Sequence, residues 1–293
     1  MTIVTTKKMQ VVPALGILAA VFAVAACGGD GKSSNSDVSA SPASATTTLP
    51  QGSESVDLKQ ADFTTTIDNP YWPMSPGSKW IYSETDSTGA NQKVVIEVTD
   101  ETKMIANGIE ARVVRDTVTE NGVPVEITDD WYAQDSDGNI WYLGEYVTNY
   151  ENGKVVDHGG SFEAGVDGAQ AGIAIPGNPE PGLTYRQEYY KGEAEDKAAV
   201  ITVGEEQVQV PFGYFKDGIL MTRDLVPTEP KVQELKFYAP DVGPLLSMHT
   251  DGRRPCGARQ FHRGSVTQKR GCRPNSPART ARTHAMPPYN APE

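Results

Sequence analysis

Period-two alternation of apolar and polar residues dominates the chain between Ser55 and Thr250, in short runs rich in β-branched and aromatic side chains. Turn sequences such as ANG, ENG, SDGN and KDG separate most of these runs, which is typical of antiparallel hairpins. No stretch of this region sustains the 3.6-residue periodicity of an amphipathic helix. The predicted strands are 79–84, 93–99, 109–120, 123–134, 140–150, 153–158, 183–192, 198–204, 207–213, 218–226, 231–239 and 243–249.

The alternation predicts an all-β fold, an antiparallel meander that curls into a barrel or half-barrel, with one irregular Gly- and Pro-rich insert near Ser161 to Pro181. The run 109–120 shows that the alternation is imperfect, because Arg115 shares a face with Val113 while Asp116 shares the other with Val114. Neither face is cleanly apolar. This pattern indicates bulges, or strands long enough to bend from one packed layer to another.

The N-terminus has the features of an export signal. Lys7 and Lys8 precede an apolar run from Val11 to Ala23, which is too short for a permanent transmembrane helix. The following VAAC sequence resembles the lipobox of bacterial lipoproteins, which implies removal of residues 1–26 and lipidation of Cys27. We therefore expect a lipid anchor on the extracytoplasmic face of the cell membrane. An ordinary secreted protein with a chance cysteine is the alternative.

Three further segments differ sharply in composition. Residues 27–55 are dominated by Gly, Ser, Ala, Thr and Pro, and are predicted to form a flexible tether. Residues 56–250 are predicted to form a single all-β domain, which we expect to be a monomer. Residues 251–293 carry nine Lys and Arg, and their abrupt loss of apolar periodicity predicts a disordered tail. Two origins remain open for it, a frameshift near Asp251 or a genuine basic tail that contacts anionic lipid or cell-wall polymer.

Charge excludes one class of partner. Between Gly28 and Thr250 there are 36 Asp and Glu against 15 Lys and Arg, a formal charge of −21. Because phosphate recognition needs a positive footprint, nucleic acid is not an expected partner of this body. The cysteines Cys256 and Cys272 both lie in the tail, so neither a disulfide nor thiol chemistry is expected in the body.

The sequence DSDGN, with Asp135, Asp137 and Asn139, has the oxygen-rich composition of a calcium loop. An EF-hand loop requires Gly at position 6 and Glu at position 12, whereas here Gly138 falls at position 4 and Glu145 at position 11. Strand-like runs flank the loop on both sides. A hairpin turn is therefore favoured over a metal site, and no cofactor is expected.

Aromatic pairs flank that turn, with Trp131 and Tyr132 before it and Trp141 and Tyr142 after it. Such residues alternate across the sheet, so half would face a core and half could line a groove. The candidate ligand-binding residues chosen from these pairs and from the end of the predicted insert are Trp131, Trp141, Tyr189 and Tyr190.

No catalytic constellation stands out, because the two body histidines are isolated and acidic residues are too plentiful to single out a pair. The sequences DNPYWPMSPGSKWIYSE, RVVRDTVTENG, DDWYAQDSDGNIWYLGE and YRQEYYKGEAED resemble a family of secreted or lipid-anchored actinobacterial proteins that open with a PGxxWxY strand. That resemblance covers residues 68–249 and implies no active-site residue.

Two functional classes follow. The favoured one is a non-enzymatic envelope lipoprotein that binds an apolar or amphipathic ligand, such as a lipid, or another envelope component. The alternative is an extracellular hydrolase or lyase acting on polysaccharide or lipid, which predicts clustered carboxylates or a histidine in a cleft beside the insert. Calcium-dependent adhesion through the acidic loops is a third hypothesis.

Overall fold

The computed structural model describes residues 48–85, 90–227, 233–249 and 256–264, all within one compact unit. The predicted signal peptide, Cys27 and most of the predicted tether lie outside the described residues. No helix in the described ranges is both long and apolar enough to cross a membrane. The described part of the chain contains one short 3-10 helix, Gln60–Asp62, and eighteen strands.

The strands are, in chain order, β1 (Phe63–Thr64), β2 (Lys79–Thr85), β3 (Asn91–Met104), β4 (Glu110–Glu120), β5 (Val123–Asp135), β6 (Ile140–Glu151), β7 (Lys154–Asp157), β8 (Phe162–Glu163), β9 (Gln170–Ile175), β10 (Thr184–Arg186), β11 (Glu188–Tyr189), β12 (Lys197–Val203), β13 (Val208–Val210), β14 (Gly213–Phe215), β15 (Leu220–Leu225), β16 (Gln233–Ala239), β17 (Gly243–His249) and β18 (Cys256–His262).

Thirteen of these strands form one continuous antiparallel path, in the order β10-β12-β15-β16-β17-β18-β2-β3-β4-β5-β6-β9-β11. Strand β1 pairs with β5, strands β7 and β8 pair with β6, and β13 and β14 form a separate hairpin. The all-β antiparallel prediction is therefore confirmed, and the sheet curls until it is nearly closed into a barrel. The segment predicted as an irregular insert contains β8 and β9, and β9 is a full member of the path.

The two ends of this path are supplied by one short stretch of chain. Strand β10 pairs with β12 at one end and β11 pairs with β9 at the other, and only Gln187 separates β10 from β11. Gly172 on β9 lies so close to this stretch that a Cβ atom there would stand 2.3 Å from the backbone of Gln187. Only glycine permits this approach. Residues 184–189 thus bridge the edges of the sheet.

Arg186 fixes this bridge from within the protein. Its side chain is 1% exposed. The guanidinium donates hydrogen bonds to the carbonyl of Ala171 on β9 (Nε 3.1 Å, Nη2 2.6 Å) and, through Nη1, to the carbonyls of Gly52 and of Glu54, the latter at 2.8 Å. The backbone N–H of Arg186 also donates to the carbonyl of Pro50 at 2.6 Å. One side chain therefore connects the closing segment, β9 and the residues that precede the barrel.

Strand β18 differs from the prediction of a disordered tail after Thr250. Its residues pair with β2 from Gly257 to His262 and with β17 through Cys256 and Gly257, so β18 lies between these two strands. Ala258 is 1% exposed, and the ring of Phe261 stacks on Trp80 with 5.2 Å between centroids. These two apolar residues and the backbone pairing hold the strand despite its basic composition. The hypothesis of a frameshift near Asp251 concerns the gene and stays a prediction.

Replacing Arg186 by Met should lower the free energy of unfolding by roughly 3 kcal/mol, because the buried carbonyl of Ala171 and the partly buried carbonyls of Gly52 and Glu54 would lose charged donors. Urea unfolding followed by tryptophan fluorescence measures the change. The matched control is Arg223→Met, because Arg223 is exposed on β15. Equal stabilities of the two variants would contradict a role for Arg186 in closing the sheet.

Candidate functional site

A partly enclosed cavity of about 430 Å³ lies on the inner side of the curled sheet. Its lining repeats every second residue along the strands, as expected for side chains that point to one face. The lining residues that alternate in this way are Tyr82 and Glu84 on β2, Val94 and Ile96 on β3, Val114 and Asp116 on β4, Asp130 and Tyr132 on β5, Glu234, Lys236 and Tyr238 on β16, and Pro244 and Leu246 on β17.

Strand β6 departs from this alternation because it contains a bulge. Asp130 pairs with Glu145 and Tyr132 with Tyr142, so two residues of β6, Leu143 and Gly144, oppose the single intervening residue of β5. Gly144 has a φ of 136°, a conformation that other residues rarely adopt. The extra residue turns both Tyr142 and Glu145 toward the cavity although they are three positions apart.

Seven acidic residues line the cavity, and we call them the carboxylate cluster: Glu84, Asp116, Asp130, Glu145, Glu188, Asp196 and Glu234. Glu188 comes from β11, so the segment that closes the sheet also contributes to the cavity. Ala174 of β9 lies in the wall as well, which places part of the predicted insert at the site.

Burial raises the pKa values of several of these carboxyl groups. Burial, the charge of Asp196 and that of Asp130 raise the pKa of Glu188 to about 8, although Lys236 acts in the opposite direction. Burial raises the pKa of Asp116 well above its usual range, and neighbouring acids including Asp130 add to the effect. Loss of hydration disfavours the charged form, and like charges nearby disfavour it further.

Asp130 and Glu145 lie opposite each other in the carboxylate cluster, because they are direct cross-strand partners on β5 and β6. Burial first, and then their mutual repulsion, raises the pKa of Glu145, while burial raises the pKa of Asp130. The Tyr142 hydroxyl donates a hydrogen bond of 2.7 Å to Oδ1 of Asp130, which partly opposes that increase in its pKa. The pair can therefore hold and release protons within the cavity.

Lys236 is the one Lys or Arg among the described lining residues, and it already has acidic partners. Its Nζ lies 2.7 Å from Oδ2 of Asp224 and 3.3 Å from Oε2 of Glu234. These carboxylates keep the pKa of Lys236 well above its usual value in spite of its burial. The ammonium group thus pairs with Asp224 and Glu234, and the lining contains six further acidic residues.

An aromatic wall stands beside the acids. Tyr132 and Tyr142 stack with their ring centroids 4.9 Å apart, and Trp72 packs on Tyr132 at 5.4 Å. Trp72 belongs to the DNPYWP sequence, and Asn69 in the same loop donates from Nδ2 to the carbonyls of Gly138 (2.9 Å) and Pro176 (3.2 Å). The loop that carries Trp72 is therefore anchored to the turn between β5 and β6.

Two polar atoms of cavity-lining residues lack a hydrogen-bond partner among the residues that the structure describes. Oδ1 of Asp116 and Nε1 of Trp72 are both buried and unpaired. One is an acceptor and the other is a donor. A buried polar group without a partner costs free energy, so such groups are uncommon in folded proteins and call for a physical explanation.

The four residues predicted as ligand contacts lie outside the cavity lining. Trp131 is buried and has the Nζ of Lys103 4.4 Å from its ring centroid, while Trp141 donates from Nε1 to Oδ2 of Asp135 at 2.7 Å. Tyr189 and Tyr190 follow the cavity residue Glu188 but do not contribute to the lining themselves. Their role in binding stays a prediction, and the cavity gives it no support.

The missed residues are the immediate neighbours of the chosen ones. Tyr132 follows Trp131, Tyr142 follows Trp141, and Glu188 precedes Tyr189. Successive residues of a strand point to opposite faces, so a residue displaced by one position lies on the side of the sheet away from this cavity. The sequence therefore indicated segments that contribute to the cavity, but not the residues within them. The reason is that a polar cavity-lining face and a solvent-exposed face have the same alternation of polar and apolar residues.

The DSDGN sequence forms the predicted hairpin turn between β5 and β6, with Gly138 at a φ of 83°. Oδ1 of Asp135 accepts hydrogen bonds from the backbone N–H groups of Asp137 (3.0 Å) and Asn139 (2.8 Å), and Oδ2 accepts from Asn139 Nδ2 (2.8 Å). The Asp135 oxygens thus have internal donors. Across the described ranges, no group of three or more His, Cys, Asp or Glu residues is placed to hold a metal ion.

Comparisons with known proteins give no family assignment. No protein-family model matches the chain, and no curated protein is significantly similar to it. A solved structure of a "putative lipoprotein" from Parabacteroides distasonis is similar to the fold with a TM-score of 0.35 and 13% sequence identity. The alignment covers 66% of this chain and 99% of that protein. At this score the likeness carries no argument about function.

The elevated carboxyl pKa values predict that stability falls as the pH rises from about 5 to about 9. In the unfolded chain a Glu carboxyl ionises near pH 4.3, whereas Glu188 in the folded protein keeps its proton to about pH 8. The folded state therefore binds more protons between these values, and the free energy of unfolding decreases as the pH rises. Thermal unfolding at pH 5, 7 and 9 should give progressively lower Tm values.

Glu188→Gln should flatten this dependence because the neutral side chain has no proton to lose. The matched control is Glu205→Gln, since Glu205 is exposed and its replacement should leave the slope unchanged. A wild-type Tm that stays constant or rises between pH 5 and pH 9 would show that the cavity carboxyls ionise without cost to the fold.

Proposed function

We propose that this chain is a lipid-anchored envelope protein whose barrel cavity binds a small amphipathic ligand. The observation that carries the proposal is the cavity itself. Its volume of about 430 Å³ lies within the range of roughly 300–1,000 Å³ that is usual for small-molecule sites. The anchor is supported by the charged start, the apolar run and the VAAC sequence that ends at Cys27.

The lining suits a ligand with an apolar body and a polar group. Val94, Ile96 and Leu246 supply aliphatic surface, and Tyr132 and Tyr142 supply aromatic faces. The carboxylate cluster supplies the polar part. Ligand sites typically combine such apolar walls with a few convergent polar groups that fix orientation.

The lipid anchor predicts that Cys27→Ser releases the protein from the membrane fraction, because the acyl chains attach through the thiol. Fractionation of the host followed by immunoblotting measures the distribution. Cys272→Ser is the control, since the lipobox resemblance assigns no lipid to that residue. Unchanged membrane association of Cys27→Ser would contradict the proposed anchor.

Acid–base hydrolysis of polysaccharide is the second candidate, because Asp130 and Glu145 face each other with elevated pKa values. Glycosidases use two carboxyl groups, one protonated and one ionised. A group held in the ionised state is required for that chemistry, and burial here favours the protonated form of both. The ligand-binding proposal therefore accounts for more of the site.

Filling the cavity tests the proposal. Ala174→Phe places a ring where β9 faces the cavity, so a ligand that co-purifies with the wild-type protein from its own envelope should be lost from this variant. Native mass spectrometry detects the bound mass. Val155→Phe is the matched control, because Val155 is 53% exposed on β7.

Equal ligand occupancy in the wild type, Ala174→Phe and Val155→Phe would place binding elsewhere on the protein. A wild-type protein that carries no ligand, and that instead releases small products from polysaccharide, would favour the hydrolase.

A further inference from the structure

The ionisable groups of the cavity are mostly acidic. Seven carboxyl groups line it against one ammonium group, and that ammonium, on Lys236, already pairs with Asp224 and Glu234. The acids come from β2, β4, β5, β6, β11 and β16, with Asp196 just before β12, so they face the cavity from many sides of the barrel. A small molecule that enters meets an excess of groups able to accept hydrogen bonds from a cation.

The unpaired oxygen of Asp116 is a second and independent observation. Its Oδ1 has no hydrogen-bond partner in the described part of the chain, whereas the hydroxyl of Tyr142 donates to Oδ1 of Asp130. Asp116 and Asp130 both point to the cavity from neighbouring strands, and Asp130 contributes to the electrostatic environment of Asp116. A donor from a ligand would complete the hydrogen bonding of Asp116.

The aromatic wall favours the same kind of ligand. The negative faces of Trp and Tyr rings attract cations, most strongly where water is excluded. Trp72, Tyr132 and Tyr142 lie beside the acids and pack on one another, so one part of the cavity combines carboxylates with π faces. Carboxylates and aromatic rings together are well suited to an organic ammonium group, whereas a bare metal ion would not use the rings.

We propose that the ligand is an amphipathic amine whose ammonium group binds among Asp116, Asp130 and Glu145, with its apolar portion against Val94, Ile96 and Leu246. This inference rests on the proposed function, because it assigns a charge to the ligand of the same cavity. The ammonium donates hydrogen bonds to carboxylate oxygens, and its carbon chain displaces water from the aliphatic wall.

Binding of such an amine is coupled to proton release. Carboxyl groups that are protonated in the empty cavity must ionise to pair with an ammonium group, so their protons pass to the solvent. Because burial raises the pKa values of Asp130, Glu145 and Glu188, this release takes place across the neutral range. The affinity for an amine should therefore increase with pH until the amine itself loses its proton.

Three probes that share a six-carbon chain but differ in the charge of the head group separate the electrostatic from the apolar contribution to binding. They are hexylammonium, hexan-1-ol and hexanoate. Isothermal titration calorimetry of the purified full chain at pH 7.5 should show hexylammonium binding at least ten-fold more tightly than hexan-1-ol, with hexanoate weakest. Titration in two buffers of different ionisation enthalpy should reveal proton release for hexylammonium and none for hexan-1-ol. The apparent affinity for hexylammonium should rise between pH 6 and pH 8.

Asp116→Asn and Glu145→Gln, each nearly isosteric, should reduce the preference for hexylammonium over hexan-1-ol at least five-fold without weakening hexan-1-ol. Glu205→Gln is the control and should keep the wild-type preference. Two different positions are used so that poor folding of one variant does not decide the result.

The possible failures are distinguishable. Equal affinity for all three probes would overturn the amine assignment and leave an apolar ligand site intact. Preference for hexanoate would overturn it in favour of an anion held by Lys236. Binding of none of the probes would count against both the amine and the proposed ligand cavity.

Discussion

The hydrogen bonds of the Arg186 guanidinium are the interaction on which the rest of this structure depends. A curled antiparallel sheet has an interior only if its two edges are brought together. Here the closing stretch 184–189 pairs with β12 at one edge and β9 at the other, and Arg186 binds carbonyls on β9 and on the preceding segment at residues 52–54. A lysine could supply the charge, but not the planar fork of donors that reaches several carbonyls together.

Closure turns alternate residues of many strands into the lining of one cavity, and the polar lining that the proposed ligand requires lowers the stability of the fold. The interior of a barrel of about eight strands is just wide enough to be filled by side chains. In this protein the inner positions carry the carboxylate cluster. Its burial raises the pKa values of Glu188 and Asp116, which means that the charged forms are destabilised. Sites that bind ligands commonly retain such locally unfavourable groups because a partner compensates them on binding.

The sequence predicted the fold well because strand formation depends on local signals. Alternation and turn residues placed β2, β4, β5 and β17 within a few residues of their observed bounds, and the DSDGN hairpin was recognised from its glycine spacing. Strand β9 was missed because its sequence, QAGIAI, is small and Gly-containing. Gly172 is needed there for the close approach of Gln187, a tertiary constraint that no local pattern reveals. Strand β18 was missed because it is held by two neighbouring strands rather than by its own periodicity.

The site was predicted only in part, since its geometry depends on register. The run 109–120 was mixed in polarity on both faces because one face, with Val114 and Asp116, lines the cavity while the other buries Ala111 and Val113. The bulge at Leu143 and Gly144 then brings Tyr142 and Glu145 to the same side. Neither the sharing of a cavity nor a one-residue insertion in the pairing can be deduced from alternation alone.

The position of β18 has a consequence for the order of events in biosynthesis. It pairs His262 with Lys79, so the sheet joins residues from opposite ends of the described chain. Contacts of such long sequence separation form late and slowly. A chain synthesised from its N-terminus cannot complete the sheet before the segment that contains His262 has been made. The sheet therefore stays open until nearly all of the described chain has been synthesised.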